Sequence, residues 1–152
     1  MLLRPATPAD APALAALDAE AFSAEGYPVF VFRQWLDLFE GLVFVAEGAG
    51  PDAGALAGYA AAGVAADGAC GWILSAGVTP AARGRGLARR LAQAALDALA
   101  ARGIREVRLT VAPGNAAARA VYRHLGFADE ALVPDYFGPG EDRLVMRRVI
   151  AG

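Results

Sequence analysis

The sequence predicts a fold of the α/β class, α+β in type, with a mixed sheet flanked by helices. Three observations carry this expectation. A length of 152 residues suits one compact domain, so residues 1–152 are expected to form a single unit around one core. The apolar positions switch between helical and strand periodicity in the order ααβββαβαββ, with a long helix set between two strands. Although 57% of the residues are hydrophobic, no run of about 18 strongly apolar residues occurs, so the apolar content points to a core and not to a membrane span.

Each element has a local reason. Thr7-Pro8-Ala9-Asp10 reads as a helix start, with a capping hydroxyl, a proline at the first helical position and an acid in the electropositive first turn. Leu14, Leu17, Ala21 and Phe22 then recur on one face. FVFRQWLDLFE continues as a second helix up to Gly41. GLVFVAEG and ALAGYAAAGV, separated by AGPDAG, read as a hairpin, and GWILSAGV follows the turn ADGAC as a third strand. From Gly84 to Ala101 the sequence sorts Leu87, Leu91, Ala94 and Ala98 to one side and Arg89, Gln93 and Asp97 to the other, an amphipathic helix that Gly103 ends. EVRLTVAP alternates Val107, Leu109 and Val111 inward as a strand. Asn115 caps a short helix stopped by Gly126, and FADEALVPDYF and DRLVMRRV are two strands around the turn GPGE.

Composition narrows the function classes. The start, MLLRPATPADAP, lacks the apolar core of a secretory signal, and the lone Cys70 has no second thiol for a disulfide or a metal site. A cytoplasmic location and no metal are the expectations. There is no lysine; all 14 basic residues are arginine, suited to gripping phosphate through a planar fork. Residues 1–70 hold nine acids and two arginines, whereas residues 71–152 hold 12 arginines and seven acids. The second half therefore suits an anionic ligand and the first a cationic one. A net charge of −2 without lysine argues against a broad nucleic-acid footprint.

The stretch VTPAARGRGLARRL, directly after a strand, concentrates this chemistry. The first N–H groups of a helix lack intrahelical partners and the helix dipole adds positive charge, so an anion is favoured there. Gly84 and Gly86 let phosphate oxygens approach the backbone, and Arg83 and Arg85 add charge. A nucleoside-triphosphate P-loop is excluded because it needs a lysine, and a dinucleotide fingerprint is disfavoured by Arg89 where a small residue belongs. The pattern Q/R-x-x-G-x-G/A is met by Arg83, Gly86 and Ala88.

A second pattern, N-x-x-A-x-x-φ-Y-x-x-x-G-F with φ apolar, is met by Asn115, Ala118, Val121, Tyr122, Gly126 and Phe127. With both in order, the chain from Gly71 to Phe127 resembles the GNAT superfamily of acetyl-CoA-dependent N-acetyltransferases. The resemblance implies a mostly antiparallel sheet whose fourth and fifth strands splay to admit the acetyl-pantetheine arm, with Gly77 a plausible bulge. It implies that the backbone of Gly77 and Val78 pairs with that arm. By the same resemblance, Gly84, Arg85, Gly86, Leu87 and Ala88 hold the pyrophosphate beside Arg83, and Asn115 touches the coenzyme unless it is simply a helix cap.

For the chemistry, the resemblance points to Tyr122 as the group facing the coenzyme sulfur. With ordinary pKa values of about 10 for a phenol and about 8.5 for a thiol, full proton transfer is uphill by roughly 2 kcal/mol, so Tyr122 is expected to donate a strengthening hydrogen bond. No general base is assigned: Glu25, Asp135 and Glu141 are the candidates. Thr110 stands where the ribosomal-protein N-terminal acetyltransferases commonly carry a glutamate, which favours a small-molecule amine acceptor over a peptide N-terminus. His124 is read as a surface residue and Cys70 as a structural one in a turn. Tyr27, Phe30, Phe32 and Trp35 line an acceptor pocket or pack a core. The implied co-substrate is acetyl-CoA, and the implied partners are an amine acceptor and, as an option, a second copy in a homodimer. A non-catalytic acyl-CoA sensor is the alternative from another class.

Overall fold

The computed structural model describes residues 1–22, 26–48, 51 and 53–150. Among these described residues, seven strands, β1 (Leu2–Pro5), β2 (Val43–Glu47), β3 (Leu56–Val64), β4 (Cys70–Val78), β5 (Glu106–Val111), β6 (Ala128–Val133) and β7 (Arg143–Val149), form one sheet in the order β1-β2-β3-β4-β5-β7-β6. Every neighbouring pair is antiparallel except β4–β5. Helices α1 (Ala11–Phe22) and α2 (Val29–Leu38) cover one face; α3 (Leu87–Ala101) and α4 (Ala116–His124) pack on the other. No described helix is long and apolar enough to cross a membrane.

β1 is an addition to the sequence reading. It is only four residues long at the edge of the sheet, and Leu2 and Pro5 are exposed, so no alternating pattern announces it. It is held by Arg4, whose guanidinium grips both carboxylate oxygens of Asp10 at 2.9 Å. Asp10 also accepts the N–H of Thr7 at 2.8 Å, tying the strand to the 3-10 turn Pro8–Asp10 that leads into α1.

α3 begins at Leu87, not Gly84, because Gly84 and Gly86 both take positive φ and Gly86 becomes its N-cap. Its buried stripe is Leu87, Leu91, Ala92, Ala95, Leu96 and Leu99, not the expected Leu87, Leu91, Ala94 and Ala98. The sheet contacts a wide apolar band, and the two larger leucines win it. Each buried leucine contributes about 1.5–3 kcal/mol. Small residues in β3 let the helix lie close: a Cβ on Gly58 would come within 2.9 Å of the Leu91 side chain.

In β4, Cys70 opens the strand and is buried, not in a turn as expected. The register with β3 slips between Ala61 and Ala62, which face Ser75 and Ile73, so the bulge falls at Leu74 and not at Gly77. Gly77 pairs regularly with Tyr59. Its missing side chain serves packing instead, since a Cβ there would lie 3.0 Å from the Phe22 ring and 3.2 Å from the Tyr59 ring. At the other end, β6 stops at Val133, because Pro134 removes a donor and Asp135 turns to φ +53°.

The feature that positions the site is the divergence of β4 and β5. They pair only where Cys70–Trp72 meet Glu106–Arg108. β4 runs on beside β3 to Val78 and β5 beside β7 to Val111, so the strands splay as the family resemblance implied.

Candidate active site

From Ile73 onward β4 has no strand partner on its β5 side, and backbone groups without partners call for a ligand or water. A cavity of about 620 Å³ lies there, walled by Ala76–Val78 of β4, the turn before α3, the outer residues of α4 and the last two residues of α1. Nine of the ten expected site residues line it: Gly77, Val78, Arg83, Gly84, Gly86, Leu87, Ala88, Asn115 and Tyr122. Arg85 does not.

At one end, Gly84 (φ +80°) and Gly86 (φ +71°) hold a conformation that costs other residues about 1–2 kcal/mol. A Cβ at either would meet nothing within 4 Å, so the turn faces open space. Gly86 caps α3 without a side chain, which leaves the first helical N–H groups accessible. Arg83 departs from its expected use: its guanidinium donates to the carbonyl of Ala21 at 3.0 Å, bridging the turn to the end of α1. Helix carbonyls at a C-terminus attract a cation, which accounts for this placement.

On the opposite wall, Asn115 Oδ1 accepts the N–H of Ala118 at 3.1 Å, so the capping role is real and coexists with a place on the cavity surface. Tyr122 projects from α4, edge-on to Phe127 with ring centroids 5.9 Å apart. Its hydroxyl has no hydrogen-bond partner among the described residues, and burial pushes the phenol up to about 12. It is therefore a neutral hydroxyl at physiological pH with a hydrogen to offer.

Ala21 and Phe22 were legible only as an apolar helix face, yet they form the α1 side of the cavity. Beneath them lies a second constellation that no motif marks. Asp18, 1% exposed, accepts the Tyr59 hydroxyl at 2.6 Å and the Tyr27 N–H at 2.7 Å, and Tyr59 Oη lies 2.7 Å from Ser75 Oγ. Gly26 makes the crossing of this chain over α1 possible, since a Cβ would stand 2.8 Å from the Ala19 nitrogen. Of the expected aromatic group, Tyr27, Phe32 and Trp35 pack edge-to-face at 5.2–6.1 Å, and Phe32 also meets Tyr59. Phe32 is fully buried, a core residue; Phe30 is 63% exposed and stands apart.

Two base candidates are engaged elsewhere. Asp135 accepts the Gly140 N–H within the β6–β7 turn, and Glu141 pairs with Arg143 at 3.1 Å. Glu25 lies outside the described residues. His124 is exposed at the end of α4 and does not line the cavity.

Comparison with known proteins agrees with this geometry. The mycothiol acetyltransferase of Beutenbergia cavernae is 50% identical over 70 residues, 46% of this chain but only 24% of that protein's length. Among solved structures, the ribosomal-protein-alanine N-acetyltransferase of Brucella melitensis superposes with a TM-score of 0.80 at 28% identity, covering 99% of this chain and 100% of its own. The yncA protein of Salmonella typhimurium, solved with its cofactor acetyl-CoA, gives 0.81 at 25% identity over 100% of this chain and 95% of its own. The family model described as acetyltransferase (GNAT) matches residues 11–127, and the chain belongs to that family.

Proposed function

We propose that this chain transfers the acetyl group of acetyl-CoA directly to a primary amine, and that the acceptor is a small molecule. The observation that carries the reading is the cavity itself. It runs along the unpaired edge of β4 from an open glycine turn at a helix N-terminus to an unbonded tyrosine hydroxyl. The residues fit the coenzyme: the turn has space where a Cβ would stand, oriented N–H groups and neighbouring arginines. When bound, acetyl-CoA supplies an activated acyl group, a thiolate leaving group and a diphosphate to be gripped.

The chain's own residues do the rest. N–H groups of Gly84, Gly86, Leu87 and Ala88 take the diphosphate, with Arg89 adding charge from the cavity wall. The backbone of Gly77 and Val78 aligns the pantetheine arm, and Asn115 borders it from α4. Tyr122 donates its hydrogen bond toward the sulfur as charge develops there. A phenol raised to about 12 is a poor acid, so it stabilises that charge without surrendering its proton.

The 50% identity with a mycothiol acetyltransferase, together with Thr110 in place of a glutamate, supports a small-molecule acceptor. The full-length likeness to a ribosomal-protein-alanine N-acetyltransferase supports a second reading, a peptide N-terminus. Thiol release from acetyl-CoA with glucosamine, spermidine, phenylethylamine and a short alanyl peptide tests both. Release with a small amine is expected. A peptide preference replaces the first reading with the second, and tight calorimetric binding of acetyl-CoA without release to any amine makes the chain a sensor.

A further inference from the structure

Asp18 is a carboxylate buried in α1 with no arginine against it among the described residues. The Tyr59 hydroxyl donates its one hydrogen to Asp18 Oδ1. That leaves Tyr59 as acceptor and Ser75 as donor in their 2.7 Å contact. The hydrogens therefore all point inward, Ser75 to Tyr59 to Asp18, and the lone pairs of Ser75 face outward. Tyr59 and Asp18 are closed off from solvent, whereas Ser75 is only partly buried.

The bulge at Leu74 explains why Ser75 is there. Gly71 and Ile73 face α3, and strict alternation would return Ser75 to that side. The extra residue puts Ser75 on the α1 face, in line with Gly77 about 7 Å further along the strand. Gly77 and the intervening Ala76 both wall the cavity.

We propose that Ser75, Tyr59 and Asp18 form the proton path that deprotonates the acceptor amine, with Ser75 meeting the amine and the other two acting through it. This rests on the acetyl-transfer reading. The ammonium gives a proton to Ser75 Oγ as the Ser75 proton passes to Tyr59 and the Tyr59 proton to Asp18, leaving a neutral amine and a protonated carboxyl. After attack, the amine's second proton leaves with the departing thiol, and Asp18 returns its proton to solvent along the same path. Among the described residues, the ionisable groups around Asp18 are Tyr59 from β3, Tyr27 after α1 and, beyond Tyr27, Arg143 of β7. Burial and Asp18 together raise the Tyr59 phenol, so it relays as a neutral hydroxyl.

The test compares Ser75→Ala, Tyr59→Phe and Asp18→Asn with two nucleophiles: phenylethylamine, which is charged at neutral pH, and hydroxylamine, which is not. A positioned base contributes roughly 10²–10⁴-fold. Loss of about 100-fold in kcat with phenylethylamine is expected, with enzyme-dependent acetylation of hydroxylamine little changed, and with the phenylethylamine rate recovering as rising pH neutralises that amine. Calorimetry should find acetyl-CoA affinity unaltered. Equal losses with both nucleophiles, or a Ser75→Ala variant that turns over both normally, overturns the path. Ser75→Ala leaves the Tyr59–Asp18 bond intact, so the result stands even where Asp18→Asn fails to fold. An inactive wild-type enzyme with every amine refutes the transferase reading instead, a distinct outcome.

Discussion

The two faces of the sheet flank the same gap but are built from different materials. On the α3/α4 face the groups that meet the cavity are largely backbone: the N–H groups after Gly84 and Gly86 and the free edge of β4. On the α1/α2 face they are the side chains of Ala21 and Phe22, the latter laid over Gly77, and behind them, outside the cavity lining, Asp18, Tyr59 and Ser75 are locked together. Backbone chemistry serves a ligand of fixed shape, and side-chain chemistry can be retuned for an acceptor. Tyr122, like Asn115 and Arg89, breaks this division with a side chain on the α3/α4 side of the cavity, and it gives the largest expected effect. Tyr122→Phe should lower kcat about 100-fold, equivalent to about 2.7 kcal/mol on the barrier, while calorimetric affinity for acetyl-CoA is preserved. A loss confined to affinity makes Tyr122 a packing residue and leaves the α3/α4 face purely a cradle.

The next effect belongs to the other face. Gly26→Ala drives a methyl group to 2.8 Å from the Ala19 nitrogen and 3.1 Å from the Asp18 carbonyl carbon, backbone atoms that cannot swing away. Overpacking of this kind costs about 1–3 kcal/mol. It pushes Tyr27 off Asp18, so thermal melting should fall by several degrees and acceptor KM should rise, with acetyl-CoA affinity unmoved. Parallel losses of both affinities show that the faces are mechanically coupled, and the Arg83 bridge to Ala21 is the contact through which that coupling runs.

The same contrast explains what the sequence discloses. A turn that needs positive φ next to a helix start admits few residues but glycine, so Gly84 and Gly86 write the coenzyme side into local sequence. Asn115, Tyr122, Gly126 and Phe127 sit on one short helix and its exit and are read the same way. Asp18 and Tyr59 are 41 residues apart and Tyr59 and Ser75 are 16 apart, so their meeting depends on strand register and a bulge. A bulge of this type needs no glycine, which is why Gly77 drew attention and Leu74 did not. The edge strand β1 is invisible for a related reason: its partners are β2 and the Asp10 carboxylate, and four residues carry too little pattern of their own.

Asn115→Ala separates the two roles that Asn115 holds. Loss of the cap costs about 1 kcal/mol, which for a chain of this size lowers Tm by about 2–4 °C. A coenzyme contact adds a weakened acetyl-CoA affinity. Asn115→Asp keeps the capping oxygen but brings a negative charge toward the cavity, so it should restore Tm and weaken affinity. Recovery of both by aspartate leaves only the cap.

The smallest effect tests the anchoring of the sheet's far edge, away from the gap. Arg4 holds Asp10 well below the ordinary carboxylate range, chiefly through their hydrogen bonds and with help from the Thr7 N–H. A depressed carboxylate contributes stability that is present above its unfolded pKa of about 4 and is lost as pH falls through its lower folded value. Asp10→Asn should therefore cost up to about 1 kcal/mol at neutral pH and flatten the acid limb of a Tm-against-pH curve below about pH 4. It should leave acetyl transfer unchanged, because neither β1 nor Asp10 touches the cavity. A change in kcat would mean that α1, which starts from the turn that Asp10 closes, transmits strain along its length to Asp18 and Phe22.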